Sequence, residues 1–146
     1  MQLISDYMNK DHRHCDAAFA RAEDRAAAGD WTGLEREGGT FLREMDRHIE
    51  IEEKLLFPAF EETTDMANGP TATMRMEHEH MRGLFEEMRA AIEAKDAEEY
   101  RGNAETLLIL LQQHNMKEES MMYPMLDQAL GEDARSLLAQ MESIAV

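Results

Sequence analysis

The sequence predicts an all-α fold: an up-down-up-down four-helix bundle followed by a short fifth helix at the C-terminal end. The composition is rich in Ala, Glu, Leu, Met and Arg and poor in β-branched residues, which favours helices over strands. Four long segments carry apolar residues at helical spacing. Short connections join these segments, so sequence neighbours are expected to pack antiparallel.

Each predicted helix ends at a recognisable signal, such as Gly29-Asp30, the turn-rich segment 63–70, Lys95-Asp96 or Gly131. The predicted helices cover about residues 3–28, 31–62, 73–94, 97–130 and 132–144. The whole chain, 1–146, is predicted to be one domain, with the bundle at about 3–130 and the C-terminal helix at about 132–144. Two prolines inside the second and fourth helices, Pro58 and Pro124, predict a kink or break in each.

The charge of the chain argues against several classes of partner. Its formal net charge is −16, from 31 acidic and 15 basic side chains, without a Lys/Arg cluster. Such a surface repels phosphate backbones and anionic membranes, so neither nucleic acid nor a membrane is expected as a partner. A single cysteine, Cys15, and the lack of a signal-like or membrane-length apolar run predict a cytoplasmic protein.

An internal repeat carries the chemically active residues. The segment from His48 to Pro58 recurs from His114 to Pro124, with the shared pattern His-x-x-x-Glu-Glu-x-x-x-aromatic-Pro and an offset of 66 residues (114 − 48). The same offset relates Asp11-His12-x-His14 to Glu77-His78-x-His80. All six histidines therefore form three related pairs, which predicts a helical hairpin present twice with pseudo-two-fold symmetry.

Helical spacing separates the inward-facing histidines from the others. Residues three, four and seven positions from His12 and from His78 are mostly apolar, so both are predicted to face the core. His14 and His80 lie about 200° further round the helix and are predicted to face outward. On the second helix one stripe is predicted to carry Phe41, Met45, His48, Glu52, Leu55 and Ala59. On the fourth helix the matching stripe is predicted to carry Leu107, Leu111, His114, Glu118, Met121 and Met125.

Three other groups of residues receive less specific interpretations. Glu53 and Glu119 are predicted to face solvent or a neighbouring helix. The many methionines are interpreted as adaptable core residues rather than copper ligands. Cys15, near the His12 face, is interpreted as a small buried thiol.

Four buried imidazoles and two buried carboxylates predict a metal site, because an unpaired carboxylate in an apolar core is costly. The predicted ligands are His12, His48, Glu52, His78, His114 and Glu118. Imidazole and carboxylate suit iron, manganese or zinc, and six ligands exceed the needs of one tetrahedral zinc. Two metals fit if both glutamates bridge them, and a solvent-derived oxo or hydroxo bridge then leaves a coordination position open on one or both metals.

These residues, with the Glu-Glu-x-x-x-Phe/Tyr-Pro tails, resemble the hemerythrin-like (HHE cation-binding) family over about residues 3–130. The resemblance implies a four-helix bundle around two iron ions (Fe²⁺/Fe³⁺) that bind dioxygen or another small diatomic ligand. Met74 stands where the oxygen-carrying members have a further histidine, and Glu118 stands at i+4 where they use a more distant aspartate. The resemblance is therefore to the bacterial branch with four histidines and two glutamates.

The expected function is a di-iron protein that binds or senses O₂, NO or peroxide, with a redox partner as a further expectation. One alternative is a di-iron enzyme that handles peroxide or nitric oxide, or a protein similar to those that repair iron–sulfur clusters. A third is a structural protein in which metals only hold the bundle together. The sequence contains no dedicated general base or activated nucleophile, so any catalysis would belong to the metal.

Overall fold

A computed structural model describes residues 2–66 and 68–144 of the chain. The described residues are almost entirely helical and contain no strand, which confirms the predicted all-α class. The predicted domain limits at residues 1 and 146, and Ala67 in the predicted turn, lie outside the described residues. None of the helices in the described part combines the length and the apolar character needed to cross a membrane.

Four long helices and a short C-terminal helix make up the fold. The first long helix is α1 (Ile4–Ala27) and the third is α4 (Pro70–Ala94). The second consists of α2 (Trp31–Ile51), a π-helical turn (Glu52–Leu56) and α3 (Phe57–Thr64). The fourth consists of α5 (Ala97–Lys117), a second π-helical turn (Glu118–Met122) and α6 (Tyr123–Leu130). A 3₁₀ turn (Gly131–Asp133) leads into α7 (Ala134–Ser143).

Side-chain caps start α2 and α5 after very short connections. Asp30 accepts a hydrogen bond from the backbone N–H of Gly33 at 2.9 Å. Asp96 accepts one from the backbone N–H of Glu99 at 3.2 Å. Both bonds satisfy donors that the first turn of a helix leaves free. The tight turns therefore fix α1 against α2 and α4 against α5.

Contacts between side chains show that neighbouring helices run antiparallel. Between the first and second helices, His14 bonds Glu44 and Arg21 bonds Glu37, so higher numbers on one helix meet lower numbers on the other. Contacts between the second and third helices, and between the fourth and first, follow the same rule. This pattern confirms the predicted up-down-up-down bundle. Arg47 bonds the carbonyls of Met141 and Ile144, which fastens α7 to the second helix.

Two apolar clusters fill the bundle, one on each side of the histidines. One cluster contains Phe19, Phe41, Phe85 and Leu107, and the other contains Ile51, Phe57, Phe60, Tyr123 and Leu126. Along every long helix, the predicted ligand histidine lies between members of the first cluster and members of the second. The polar centre is therefore enclosed by apolar side chains at both ends.

The predicted inward stripes are wrong beyond Glu52 and Glu118. Leu55 and Ala59 are only partly buried, whereas Leu56, Phe57 and Phe60 are buried. In the fourth helix Met121 is 54 % exposed and Met125 is partly buried, whereas Met122, Tyr123 and Leu126 are buried. The reason is the π-helical turn, which adds one residue to the helix and so moves all later residues round the axis.

Where Pro58 and Pro124 predicted a kink or break, the structure has a π-helical turn just before each proline. The backbone N–H of Phe57 bonds the carbonyl of Glu52, five residues earlier, and that of Tyr123 bonds the carbonyl of Glu118. Pro58 follows immediately and has no N–H to offer to the helix. The guanidinium of Arg75 lies 3.5 Å from the carbonyl of Glu53 and donates to it instead. A widened turn thus accommodates each proline without ending the helix.

Candidate metal centre

The six predicted metal ligands are buried together in the middle of the bundle. Their relative exposures are 3 % for His12, 2 % for His48, 0 % for Glu52, 0 % for His78, 2 % for His114 and 0 % for Glu118. One histidine comes from each long helix, and the carboxylates come from the two π-helical turns. The first residue of each π-helical turn is the glutamate one helical turn after a histidine, so the irregular backbone begins at the site itself.

The donor atoms form two groups that could each hold a metal ion. The first contains His12, His48 and Glu118, and the second contains Glu52, His78, His114 and Glu118. Within each group all donor atoms lie within 4.8 Å of one another. The imidazole ring centroids are 4.7 Å apart in the His12–His48 pair and 4.9 Å apart in the His78–His114 pair. Each helical hairpin therefore contributes one pair of histidines.

The two carboxylates connect the histidine pairs. Glu52 has Oε2 3.6 Å from Nε2 of His48 and Oε1 3.0 Å from Nε2 of His78. Glu118 has Oε1 3.0 Å from Nε2 of His12 and Oε2 3.3 Å from Nε2 of His114. Each glutamate thus directs one oxygen toward each pair, which is the arrangement required of a bridging carboxylate.

A second ring of carboxylates binds the other nitrogen of each of the four central histidines. Nδ1 of His48 lies 2.8 Å from Asp11, and Nδ1 of His114 lies 2.7 Å from Glu77. With Nδ1 donating its proton to the carboxylate, the Nε2 lone pair is left to face the centre. Asp11 and Glu77 are related by the 66-residue repeat (77 − 11), a signal that identifies them as a functional pair.

Glu53 and Glu119 complete this second ring. Glu53 accepts from Nδ1 of His78 at 2.8 Å, and Glu119 accepts from Nδ1 of His12 at 2.7 Å. Of the two predicted orientations, solvent or a neighbouring helix, Glu53 takes the second, whereas Glu119 contacts the neighbouring helix and is also 44 % exposed to solvent. Their role as partners of the histidines was missed because helical spacing describes one helix and gives no information about the side chains opposite it.

The remaining histidines and the cysteine lie outside the two donor groups. His14 has a side chain 63 % exposed and bonds Glu44 at 3.0 Å, and His80 is exposed. Cys15 is 3 % exposed. Burial raises the pKa of its thiol to about 12, so Cys15 is a neutral thiol at neutral pH.

Neighbouring carboxylates shift the pKa values of the buried histidines. Burial by itself would lower the pKa of His48, but the carboxylates of Glu52, Asp11 and Glu118 raise it well above its usual value. Burial would likewise lower the pKa of His78, but the nearby carboxylate of Glu52 and the bonded carboxylate of Glu53 raise it to about 9. The carboxylates thus favour positive charge between them, and bound metal would replace these protons with its own charge.

Tyr123 is a further member of the site that the sequence analysis treated only as part of a motif. Its hydroxyl lies 2.7 Å from Oε2 of Glu52 and 2.9 Å from Oε1 of Glu118. Nε2 of His12 is 3.1 Å away and Nε2 of His48 is 3.2 Å away. Burial and the two glutamates raise the pKa of Tyr123 well above its usual value. The phenol oxygen therefore lies among the donors of the first group.

The second group contains atoms whose geometry suits a metal ion better than hydrogen bonding. Among the described residues, Oε1 of Glu52, Nε2 of His78 and Oε2 of Glu118 are buried and have no hydrogen-bond partner. Nε2 of His78 and Oε1 of Glu52 are only 3.0 Å apart, yet their directions do not form a hydrogen bond. Buried polar atoms without partners are costly, and a shared cation satisfies all three. The donor set therefore fits a metal.

A surface groove lies beside the centre rather than at it. This groove, of about 870 Å³, runs between the first and fourth helices and contains none of the six predicted ligands. It includes Asp16 and Glu119, and Glu119 is the partner of His12. The chemistry of the molecule is thus concentrated in the closed centre of the bundle.

Comparison with known proteins supports this reading of the centre. No curated protein and no solved structure matches the chain. The sequence model of the family described as hemerythrin HHE cation binding domain matches residues 3–126, which include all four long helices except the end of α6. This match covers most of the chain and all six predicted ligands. The protein belongs to the hemerythrin HHE cation-binding family.

Proposed function

We propose that the centre binds two iron ions and that the protein binds or senses a small ligand there. The observation that carries the proposal is the pair of buried carboxylates, each with one oxygen facing each histidine pair. Two neighbouring donor groups that share Glu118 also favour a dinuclear centre over a single ion. The same ligands suit manganese or zinc, and membership of the family favours iron.

In this proposal, four of the six central residues each bind one ion, and the other two bridge the ions. His12 and His48 hold one ion through Nε2, and His78 and His114 hold the other. Glu52 and Glu118 bridge the ions. Two bound iron ions, with an oxo or hydroxo bridge, would supply a coordination position for O₂, NO or peroxide.

The surrounding residues make that position selective for small molecules. Asp11, Glu53, Glu77 and Glu119 fix the tautomer and orientation of the four imidazoles. The apolar clusters on both sides exclude bulk water from the centre. A small uncharged ligand therefore loses little hydration when it enters, whereas a large or highly charged one is disfavoured.

Metal analysis of the purified protein after anaerobic loading with ferrous salt tests the proposal. We expect two irons per chain, one for each donor group. His48→Ala and Glu118→Ala should each prevent binding of the pair, because the first removes a ligand and the second removes a bridge. His14→Ala is the matched control, since this histidine is exposed and bonded only to Glu44.

The optical spectrum of the loaded protein tests the ligand. Adding O₂ or NO should change a charge-transfer absorption in the wild-type protein and in the His14→Ala variant. Retention of two irons in both His48→Ala and Glu118→Ala would contradict the assigned ligands. An unchanged spectrum after both gases would contradict ligand binding at the centre.

A further inference from the structure

The two halves of the centre differ at the pair of aromatic residues that follows the ligand glutamates in the repeat. Tyr123 and Phe57 occupy equivalent positions, 66 residues apart (123 − 57), and both are fully buried. Tyr123 brings a hydroxyl into the His12–His48 half. The ring of Phe57 stacks on His78 with a centroid distance of 5.8 Å and an interplanar angle of 11°, and it brings no polar atom. The pseudo-two-fold symmetry is therefore broken at the metal-binding atoms.

Hydrogen bonding in the two halves reflects this difference. On the His12–His48 side, the phenol oxygen lies within 3.2 Å of both histidines, and it also contacts both glutamates. On the other side lie three of the buried atoms that have no hydrogen-bond partner among the described residues, namely Oε1 of Glu52, Nε2 of His78 and Oε2 of Glu118. The His12–His48 half thus already has an additional protein oxygen. The other half has potential metal-ligand atoms without hydrogen-bond partners, and the ligand atoms of this group lie within 4.8 Å of one another.

The remaining neighbours do not restore the symmetry. Met8 and Met74 precede His12 and His78 by one helical turn, and both are buried apolar side chains. They supply neither half with a further imidazole or carboxylate. Of these pairs, Tyr123 against Phe57 is the one that places a further oxygen within hydrogen-bond distance of the ligand atoms.

We infer that the phenol oxygen of Tyr123 is a protein ligand of the His12–His48 metal and that the small ligand binds at the His78–His114 metal. The inference rests on the proposed function, since it assigns roles to two bound irons. On coordination the O–H bond of Tyr123 breaks, the oxygen binds ferric iron, and the proton leaves to solvent. Phe57 cannot do the same, so the position beside His78 and His114 stays available to a ligand from outside.

Spectroscopy of the ferric, iron-loaded protein tests the first half of the inference. Coordinated phenolate gives a phenolate-to-iron charge-transfer band and phenolate ring modes in the resonance Raman spectrum. We expect both in the wild-type protein and neither in Tyr123→Phe, which removes a single oxygen atom. Wild-type protein that contains two irons but lacks the phenolate signals would overturn the inference and leave the proposed function intact. Failure to bind two irons would overturn both.

Azide titration of the same ferric proteins tests the second half. Wild-type protein should bind one azide per chain and Tyr123→Phe two, because the substitution opens the other metal. Phe57→Tyr should bind azide at least tenfold more weakly and should gain a second phenolate signal. The double variant, Tyr123→Phe with Phe57→Tyr, should again bind one azide and show one phenolate. Equal azide stoichiometry in wild-type and Tyr123→Phe proteins, each with two irons, would contradict the inference.

Discussion

At the scale of single residues, the carboxylates that bind Nδ1 of His12 and Nδ1 of His78 differ in their exposure to solvent. Glu53, the partner of His78, is also held by Arg82 at 2.7 Å, and its side chain is 18 % exposed. Glu119, the partner of His12, is 44 % exposed. Asp16 occupies the position equivalent to Arg82 (82 − 66), so an acidic group replaces the basic one. The orientation of His78 is therefore more firmly fixed than that of His12.

Glu53→Gln should weaken iron binding by about 10–100-fold, because the amide is a poorer partner for Nδ1 of His78. Glu119→Gln should have a smaller effect, since this carboxylate is more exposed and its bond competes with water. Metal-competition titration with a chromophoric chelator measures both. Glu44→Gln is the control, because Glu44 has a similar exposure of 17 % and bonds the outlying His14. An equal loss in all three variants would contradict a specific role for Glu53.

The hydrogen bonds to Glu53 also lower the pKa of its carboxyl group. Burial would raise the pKa of Glu53, but hydrogen bonds from His78 and Arg82 lower it to about 2. The carboxylate thus stays ionised at any pH at which the protein is expected to work. It remains an acceptor for Nδ1 while metal binds or leaves, which keeps Nε2 of His78 directed at the centre.

At the scale of elements, each π-helical turn serves both the site and the proline after it. The turn begins at a buried glutamate and ends just before the aromatic residue, so it decides which later side chains face the core. An α-helix continued through the same residues would bring the proline ring against the carbonyl four residues earlier. The widened turn avoids this clash and rotates Phe57 and Tyr123 inward.

Deletion of Lys54 from the first π-helical turn should leave Phe57 bonded to Glu52, now with α-helical spacing. The deletion also places Pro58 four residues after Glu53, and the resulting clash should destabilise the protein by about 3 kcal/mol. Pro58→Ala in the deletion background should recover most of this loss. Urea unfolding followed by circular dichroism measures both changes. Lys54 has a side chain 70 % exposed, so its own contacts contribute little.

A second deletion provides the control for this experiment. Deleting an exposed residue inside α2, such as Glu35, rotates one part of that helix against the other by about 100°. The misaligned core should prevent folding, and no proline substitution should restore it. If deletion of Lys54 proves as damaging as deletion of Glu35 even with Pro58→Ala, the π-helical turn is not a one-residue insertion in an otherwise continuous helix.

At the scale of the whole molecule, the centre joins all four long helices. Each contributes a histidine, and both buried glutamates reach across from one hairpin to a histidine of the other. Bound metal therefore stabilises the folded chain as a unit, because the unfolded chain has no such site. Without metal, protons on the histidines compensate the buried carboxylates less completely.

Removing iron with a chelator should lower the thermal stability of the wild-type protein. One ion bound at a free concentration 100 times its dissociation constant contributes about 2.7 kcal/mol to the free energy of unfolding. Thermal unfolding with and without chelator measures the loss. A Glu118→Ala variant, which lacks the residue shared by both donor groups, should show a much smaller response to chelator. A response as large as that of the wild type would contradict binding at this centre.

The stability of the metal-free protein should depend on pH in a defined way. The pKa of His78 rises from 6.5 to about 9 on folding, so its contribution is complete below pH 6.5 and is lost as the pH rises through 9. The pKa of Glu53 falls from 4.5 to about 2, so its contribution is complete above pH 4.5 and is lost as the pH falls toward 2. We therefore expect maximal stability between pH 4.5 and 6.5.

Above this pH window, the stabilisation that bound iron adds to the protein should increase with pH. Fewer protons compete for Nε2 of the histidines as the pH rises, so metal affinity increases. The difference in melting temperature between loaded and metal-free protein should widen from pH 6.5 to 9. Thermal unfolding of both forms at a series of pH values measures it. A difference that narrows with pH would show that the histidines are not the metal-binding groups.

The repeat and the helical spacing by themselves determined the bundle and the six histidine and glutamate residues of its central polar cluster. A histidine followed by glutamate at i+4 lies on one face of any helix, so the inward direction of His48, Glu52, His114 and Glu118 followed from spacing alone. The same reasoning separated His12 from His14, because successive positions differ by about 100°. These are local properties of one helix, and local properties can be read from sequence.

Only the tertiary structure decided which atoms meet across helices. The prolines announced an irregularity, but its form as a one-residue insertion depends on which side chains the opposite helices accept, and the stripes beyond Glu52 and Glu118 were predicted wrongly for that reason. The partners of Nδ1 also come from other helices, as does the contact of the Tyr123 hydroxyl with His12 and His48. Contacts between distant segments depend on the distances and rotations of packed helices, and these are set by the fold as a whole.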